Sequence, residues 1–211
     1  MHDHRGGVTR SPLSRLAPVA LLVTLLTAGC TASDGSSDSS PAPSDTPLSA
    51  IDLTGVSASR TSFCDSLDPD ALATALGGAP DSHESYNSGQ RAEMAPGLKD
   101  VSHEFSCSFE RGSRQARAWL FAQPATPGQA RGWVKERAAD DACKPAGELS
   151  FGDPGLVQLC HDPSQLRVTA VGLFGDGYLT CKLTAPRHGD EADLLERAQR
   201  WCADVAQTTA G

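Results

Sequence analysis

Six of the seven cysteines lie between positions 64 and 202, and this set limits the fold more than any other feature of the chain. They are Cys64, Cys107, Cys143, Cys160, Cys181 and Cys202. No Cys-x-x-Cys pair occurs among them, which gives little support to a zinc ribbon or a thioredoxin-like redox centre. An even number of cysteines is typical of an exported domain that is cross-linked by disulfides. We therefore predict three disulfides in this part of the chain.

The N-terminus has the pattern of a cleaved export signal. Arg5, Arg10 and Arg15 are followed by an apolar run over residues 16–28. As a helix, this run would reach only ~20 Å at 1.5 Å per residue, whereas a bilayer core needs ~30 Å. Pro18 shortens the run further. We therefore predict a signal peptide over residues 1–29 rather than a membrane-spanning helix.

The seventh cysteine, Cys30, directly follows the small residues Ala28 and Gly29. This end of the signal resembles a bacterial lipobox, although Thr27 stands where a lipobox usually has Leu. The resemblance implies that the Cys30 sulfur carries a diacylglycerol and that cleavage leaves Cys30 as the first residue. The mature protein would then be held on the outer face of the cytoplasmic membrane, since two acyl chains anchor a protein stably. The alternative is an ordinary secretory signal and a secreted protein.

The next segment, over residues 30–60, is rich in Ser, Pro, Asp, Thr and Gly. Such a segment buries little apolar surface, so we predict a disordered linker ahead of a single domain over residues 61–208. The whole chain has a net charge of -8 and no stripe of basic residues along its sequence. This charge argues against nucleic acid as a partner.

Three helices are predicted within the domain. Asp68 is suited to cap the first, Pro69 to begin it and Gly77 to end it. Thr126 is suited to cap a second helix of about 14 residues, which has Pro127 in its first turn. The third helix closes the domain and has an apolar stripe. The stripe consists of Leu194, Leu195, Ala198, Trp201, Cys202 and Val205.

The strands are predicted from alternating apolar residues and turn signals. They cover residues 103–110, 115–122, 155–161, 165–174 and 178–185. The polar segment 79–101 is predicted to be a surface loop or a binding loop. The resulting order, α-β-β-α-β-β-β-α, predicts an α+β fold in which helices pack on an antiparallel sheet of about five strands.

Six cysteines can pair in fifteen ways, and the sequence alone does not choose among them. Cys181 shares a strand face with Leu179 and Leu183, and Cys202 lies on the apolar stripe of the last helix. We expect both to face the interface between sheet and helix, so this pair is the best supported. The simplest complete scheme is Cys64–Cys107, Cys143–Cys160 and Cys181–Cys202.

Residues with catalytic potential do not form a recognisable motif. The domain has four histidines, His83, His103, His161 and His188, and no Gly-x-Ser-x-Gly sequence. Asp140 and Asp141 come near the end of the second helix, where a negative charge is unfavourable. They are weak evidence for a cation or a basic partner.

Because no catalytic or metal-binding motif is recognisable, we predict no catalytic residue, no metal and no cofactor.

Taken together, these features resemble a large actinobacterial group of lipoproteins whose domain has no assigned function. The resemblance covers roughly residues 60–207. It rests on the lipobox, the Ser/Pro linker, "FCDSLDPDALATALG", "CSF" within a hairpin, "FGDPGLV" ahead of a strand and the closing Ala-rich helix. More distantly, the chain is similar to the extracytoplasmic sensor domains of some actinobacterial receptor kinases. The resemblance implies a location and an α+β fold, and it implies no reaction.

Three functions are compatible with this sequence. The first is a non-enzymatic binding or sensor-like domain, with an unknown small ligand in a cleft between sheet and helices and with Trp119 or Trp133 at its edge. The second is an envelope accessory protein that docks on another protein through an exposed apolar patch. The third is a hydrolase, which requires a histidine or carboxylate pair that converges in a pocket.

Overall fold

The computed structural model describes residues 48–51, 55, 57–95, 97–147 and 149–211. The predicted signal peptide, Cys30 and most of the predicted linker lie outside the described residues. All the described elements belong to one unit, Ser39–Gly211. No helix within the described ranges is both long and apolar enough to cross a membrane.

The structure contains three α-helices and nine strands, with short 3-10 helices at Leu48–Ala50 and Cys64–Ser66. The helices are α1 (Pro69–Leu76), α2 (Pro127–Ala138) and α3 (Glu191–Thr208). The strands are β1 (Ser82–Tyr86), β2 (Arg91–Ala95), β3 (Leu98–Val101), β4 (Glu104–Arg111), β5 (Arg114–Phe121), β6 (Cys143–Pro145), β7 (Gly155–His161), β8 (Gln165–Phe174) and β9 (Gly177–Pro186).

Seven of the strands form one antiparallel sheet in the order β1-β4-β5-β9-β8-β7-β6. Strands β2 and β3 form a separate antiparallel hairpin. The α+β class and the antiparallel sheet are confirmed. The predicted number of about five strands is too low, and the predicted order of elements is only roughly correct.

The missed strands lie mainly in segment 79–101, which is not a loop. Residues of β1 are exposed or half-buried and have no apolar alternation, because β1 is an edge strand held by its backbone pairing with β4. The hairpin β2–β3 also leaves the side chains of Leu98 and Val101 exposed. Strand β6 has only three residues. Backbone pairing at an edge leaves no periodic signal in the sequence, so these strands were not predicted.

The helix boundaries follow from capping. The Asp68 side chain accepts a hydrogen bond from the Asp70 amide, and Gly77 ends α1 in the left-handed conformation at φ 72°. Thr126 and Gln129 form a capping box at the start of α2. The predicted caps and the predicted starts of α1 and α2 are thus confirmed, and α2 has 12 residues instead of about 14.

The main core lies between one face of the sheet and the two helices α1 and α3. The alternating residues Ala118 and Leu120 of β5 point into it, as do Leu179 and Leu183 of β9. Trp201 of α3 is completely buried there. The predicted apolar stripe of the last helix therefore packs on the sheet.

The three predicted disulfides are present. Cys181–Cys202 joins β9 to α3, and Cys64–Cys107 joins the segment before α1 to β4. Cys143–Cys160 joins directly opposite residues of β6 and β7. These are the pairs of the simplest scheme from the sequence.

Helix α2 packs on the opposite face of the sheet, over β7 and β8. Its contact is a small second cluster in which Ala130 and Leu173 are buried and Trp133 and Tyr178 are partly buried. Because α2 is short and lies over one side of this face, the surface over β4, β5 and β9 next to it forms a cleft.

Candidate ligand-binding cleft

The side chains that line the cleft come from the face of the sheet that carries α2. Strand residues alternate between the two faces, so Arg117, Trp119 and Phe121 of β5 lie on this face while Ala116, Ala118 and Leu120 enter the core. Tyr178, Thr180 and Lys182 of β9 are on the same face as the β5 set, by their register. Helix α2 supplies the wall opposite these strands.

The larger part of the cleft is aromatic, and we call it the aromatic cavity. It has a volume of about 480 Å³, which is within the range of ligand pockets, ~300–1,000 Å³. Trp133 of α2 lines it, with its ring 5.4 Å from that of Phe121 and 4.8 Å from that of Tyr178, both in edge-to-face geometry. The full lining comprises Glu104, Trp119, Phe121, Trp133, Glu136, Arg137, Asp140, Val171, Tyr178 and Thr180.

The smaller part of the cleft is basic, and we call it the basic cavity. Its volume is about 270 Å³. It is lined by Tyr86, Glu104, Arg117, Trp119, Arg137, Arg167, Thr169 and Lys182. Glu104, Trp119 and Arg137 line both cavities, so the two parts adjoin one another. Four cationic side chains thus surround one small volume in a chain of net charge -8.

The four cations differ in their partners. Arg167 is held by Asp162 in two hydrogen bonds of 3.0 and 3.3 Å. No described carboxylate lies within 4.0 Å of Arg117, Arg137 or Lys182. The Nε atom of Arg117 is buried and has no hydrogen-bond partner among the described residues. Arg167 therefore has its counterion, whereas the other three cations have none within the described structure.

Trp119 contacts two of these cations. The guanidinium carbon of Arg117 lies 5.5 Å from the centroid of the Trp119 ring, and the Lys182 Nζ lies 5.7 Å from it. Both distances are within the range of cation–π attraction. These contacts hold the charged ends of both side chains beside the aromatic cavity.

The environment of the cleft shifts the pKa values of Lys182 and Glu104. Burial, together with repulsion by Arg117, Arg167 and Arg137, lowers the pKa of Lys182 from 10.5 to about 8, and only Asp162 opposes this. Burial raises the pKa of Glu104, although Arg117 and His103 act against it. Such shifts are frequent at functional sites.

The histidines do not contribute to the cleft. His161 Nε2 lies 2.8 Å from Glu191 Oε1, but this partly exposed pair lines neither the aromatic cavity nor the basic cavity. His83 stacks on Phe109 at 6.1 Å between ring centroids. His103 and His188 are exposed. None of the four histidines is thus brought together with another titratable group inside a pocket.

Asp140 lies beside Cys143 and Cys160, a combination that superficially suggests a metal site. The two sulfurs form a disulfide, so neither is a thiolate that could bind a cation. Asp140 Oδ1 accepts a hydrogen bond from the Ala142 amide, and its Oδ2 lies 3.3 Å from the Cys143 sulfur. The arrangement caps the turn after α2, and the expected role of Asp140 and Asp141 toward a cation or basic partner stays a prediction.

Comparison with protein-family models, with curated proteins and with solved structures finds no significant match for this chain. The case for a function therefore rests on the cleft itself. The sequence singled out Trp119 and Trp133 as residues at the edge of a cleft, and both line it. It did not single out Arg117, Arg137, Tyr178 or Lys182. The alternation of the two neighbouring strands was a usable signal, because it places these strand residues opposite the apolar core positions.

Proposed function

We propose that the protein is a lipid-anchored extracytoplasmic lipoprotein whose domain binds a small ligand in the cleft and catalyses no reaction. The observation that carries the binding role is the aromatic cavity between α2 and the sheet. It has the volume of a small-molecule site, about 480 Å³, and aromatic side chains form much of its wall. The anchor is supported by the lipobox-like sequence that ends at Cys30.

The partial exposure of the aromatic residues supports this role. Trp119, Phe121, Trp133 and Tyr178 are all half-buried, whereas Trp201 on the other face is completely buried. A ligand between these rings would remove their remaining apolar surface from water, at ~25 cal/mol per Å² buried. None of these four rings belongs to the main core between the sheet and helices α1 and α3. Trp133 and Tyr178 also pack on the small cluster that holds α2 to the sheet, and their remaining exposed surface faces the cavity.

The other two functions have weaker support. Docking on a protein through an apolar patch would use Leu98 and Val101, the exposed large hydrophobic residues of the described structure, with exposed fractions of 58% and 41%. Two such side chains fall far short of a patch of several hundred Å². A hydrolase would need a convergent pair in a pocket, and the His161–Glu191 pair lines neither cavity of the cleft.

The binding role is tested with two fluorescent dyes that brighten in apolar sites, 1-anilinonaphthalene-8-sulfonate and N-phenyl-1-naphthylamine. We expect at least one of them to bind the folded domain with a dissociation constant on the order of micromolar. Trp133→Ala removes an aromatic ring that lines the cavity from α2 and should weaken binding at least about tenfold.

Leu195→Ala is the matched control, because it truncates a half-buried side chain of α3 on the opposite side of the sheet. It should leave dye binding unchanged. Absence of binding by both dyes, or equal binding by the wild type and Trp133→Ala, would contradict the proposed site.

A further inference from the structure

The basic cavity is the feature that the proposed binding role does not yet explain. Arg117 and Lys182 are direct register partners on β5 and β9. Like charges directly opposite one another destabilise a pair of strands. Arg137 approaches the same volume from α2. A chain of net charge -8 has many carboxylates with which to neutralise these cations, and the described structure places none within ion-pair distance of the three.

Two of the three unpaired cations are not simply solvated surface groups, whereas Arg137 is exposed. Lys182 and Arg117 are both half-buried, and the Nε donor of Arg117 is shielded from water with no hydrogen-bond partner among the described residues. Leaving a buried donor without a partner is costly. Half-buried cations that repel one another are stable only if other contacts compensate, and a bound anion would supply that compensation.

Neighbouring groups do not neutralise this charge internally. Asp162 is engaged by Arg167. Glu104 lines the basic cavity, yet it lies beyond ion-pair distance of Arg117 and its pKa is raised by burial. Glu136 and Asp140 line the adjoining aromatic cavity, and neither lies within ion-pair distance of these cations. One carboxylate in the basic cavity leaves a positive excess against three cations, so this cavity is electrostatically suited to an anion.

The two cavities adjoin one another, so a ligand that fills both has an anionic group and an apolar part. Trp119 and Arg137 belong to both cavities. A molecule whose charged group occupies the basic cavity would therefore extend its body between Trp119, Phe121 and Trp133. The limited volumes, about 270 and 480 Å³, restrict it to a small molecule.

Resting on the proposed binding function, we infer that the ligand is a small organic anion with an aromatic or acyl body. Its anionic group is held among Arg117, Arg137 and Lys182. The arginines donate hydrogen bonds to its oxygens, and Lys182 of β9 supplies a further positive charge. Its apolar body packs between the aromatic rings of the larger cavity.

The two dyes named above test this inference because they share one ring system and differ by the sulfonate. We expect the sulfonate dye to bind the wild type at least about tenfold more tightly than the neutral dye. Arg117→Met and Lys182→Met should each weaken binding of the sulfonate dye about tenfold, which corresponds to about 1.4 kcal/mol. Binding of the neutral dye should stay within about twofold.

Arg200→Met is the matched control, since Arg200 is an exposed residue of α3 that pairs with Glu196. It changes the net charge by the same amount and should affect neither dye. Lys182→Gln provides a second variant if Lys182→Met does not fold, as judged by near-UV circular dichroism.

Equal affinities for the two dyes, or sulfonate binding that is unchanged in both cleft variants, would overturn the inference and leave the proposed binding role standing. If neither dye binds the folded wild type, the proposed function fails and this inference fails with it. A selective loss of sulfonate binding in the two cleft variants alone would support both.

Discussion

Arg117 and Lys182 lie directly opposite each other on the paired strands β5 and β9, and both contact the ring of Trp119, at 5.5 and 5.7 Å from its centroid. Two cations and one aromatic ring thus share a small volume on the face of the sheet that carries α2. This arrangement lowers stability, because the charges repel each other and both are partly desolvated. Binding sites often carry such a cost, and selection for function maintains it.

Lys182→Met should stabilise the protein at pH 7. The folded pKa of Lys182 is lowered from 10.5 to about 8, so above about 8 the unfolded chain holds the proton that the folded protein has released. The contribution of Lys182 to stability therefore rises between about pH 8 and 10.5 and is unfavourable below that window. We expect the unfolding free energy at pH 7 to rise by roughly 1–3 kcal/mol, measured by urea denaturation.

Lys135→Met is the control for that experiment, because Lys135 is exposed on α2. It should change stability by less than ~0.5 kcal/mol. A Lys182→Met protein that is less stable than the wild type at pH 7 would show that the lysine is a net stabilising group.

Binding of the sulfonate dye should depend on pH through Lys182. Arg117 on β5, Arg167 on β8 and Arg137 on α2 face this lysine and lower its pKa, while Asp162 opposes their effect. A bound anion raises the pKa of Lys182 above its free value of about 8. The affinity for the sulfonate dye is therefore constant at pH values below about 8, where Lys182 is protonated, and falls as the pH rises above about 8.

Titrations from pH 6.5 to 9.5 measure this dependence, and Lys182→Met should show a flat profile over the same range. Glu104 also faces the basic cavity, but its pKa is raised from 4.5 and would affect binding mainly on the acid side. A wild-type profile that is as flat as that of the variant would exclude Lys182 from the anion site.

The disulfides should contribute unequally to stability. Cys181–Cys202 and Cys143–Cys160 close loops of similar length, with sequence separations of 21 and 17, so their effects on the unfolded chain are similar. Cys181 and Cys202 are both buried in the main core, whereas the edge pair joins the buried Cys160 to the half-buried Cys143 of a three-residue edge strand. Replacing both cysteines of the core pair by Ala should cost about 2–5 kcal/mol.

The edge pair replaced in the same way should cost less, because the strand it fixes has few other contacts to lose. Urea denaturation of the two double variants measures the difference. A larger loss for the edge pair would mean that β6 and the turn before it support the fold more than their burial indicates.

The anchor at Cys30 predicts a covalent change of mass. Protein purified from the membranes of a bacterial host with lipoprotein-processing enzymes should begin at Cys30 and carry a diacylglycerol adduct. Reduction should add about 6 Da, two hydrogens for each of the three disulfides. Cys30→Ala should abolish the adduct and release the protein from the membrane. An unmodified wild-type chain in the medium would contradict the anchor.

The sequence predicted those elements whose local signals agree with the fold. The start and end of α1 could be predicted because Asp68, Pro69 and Gly77 determine them through contacts within a few residues along the chain. The hairpin β8–β9 is readable because two alternating strands flank the turn at Gly175–Asp176. By contrast, β1 depends on pairing with β4 across a distance along the chain, and its own residues have no matching period.

The site was predictable only in part for a related reason. Trp119 and Trp133 were conspicuous because large aromatics outside a core suggest a wall or an interface. The importance of Lys182 depends on which residues oppose it on β5 and β8, and strand order is not encoded in any local pattern. Arg117 and Lys182 become a pair only when β5 and β9 are neighbours in the sheet.

The three tryptophans offer the most direct test of the cleft as the binding site. Trp119 and Trp133 line it, whereas Trp201 is buried on the other side of the sheet. In a ¹H–¹⁵N spectrum each indole N–H gives its own signal. Titration with 1-anilinonaphthalene-8-sulfonate should shift the signals of Trp119 and Trp133 and leave that of Trp201 in place. Saturable binding that moves neither cleft tryptophan would contradict the account.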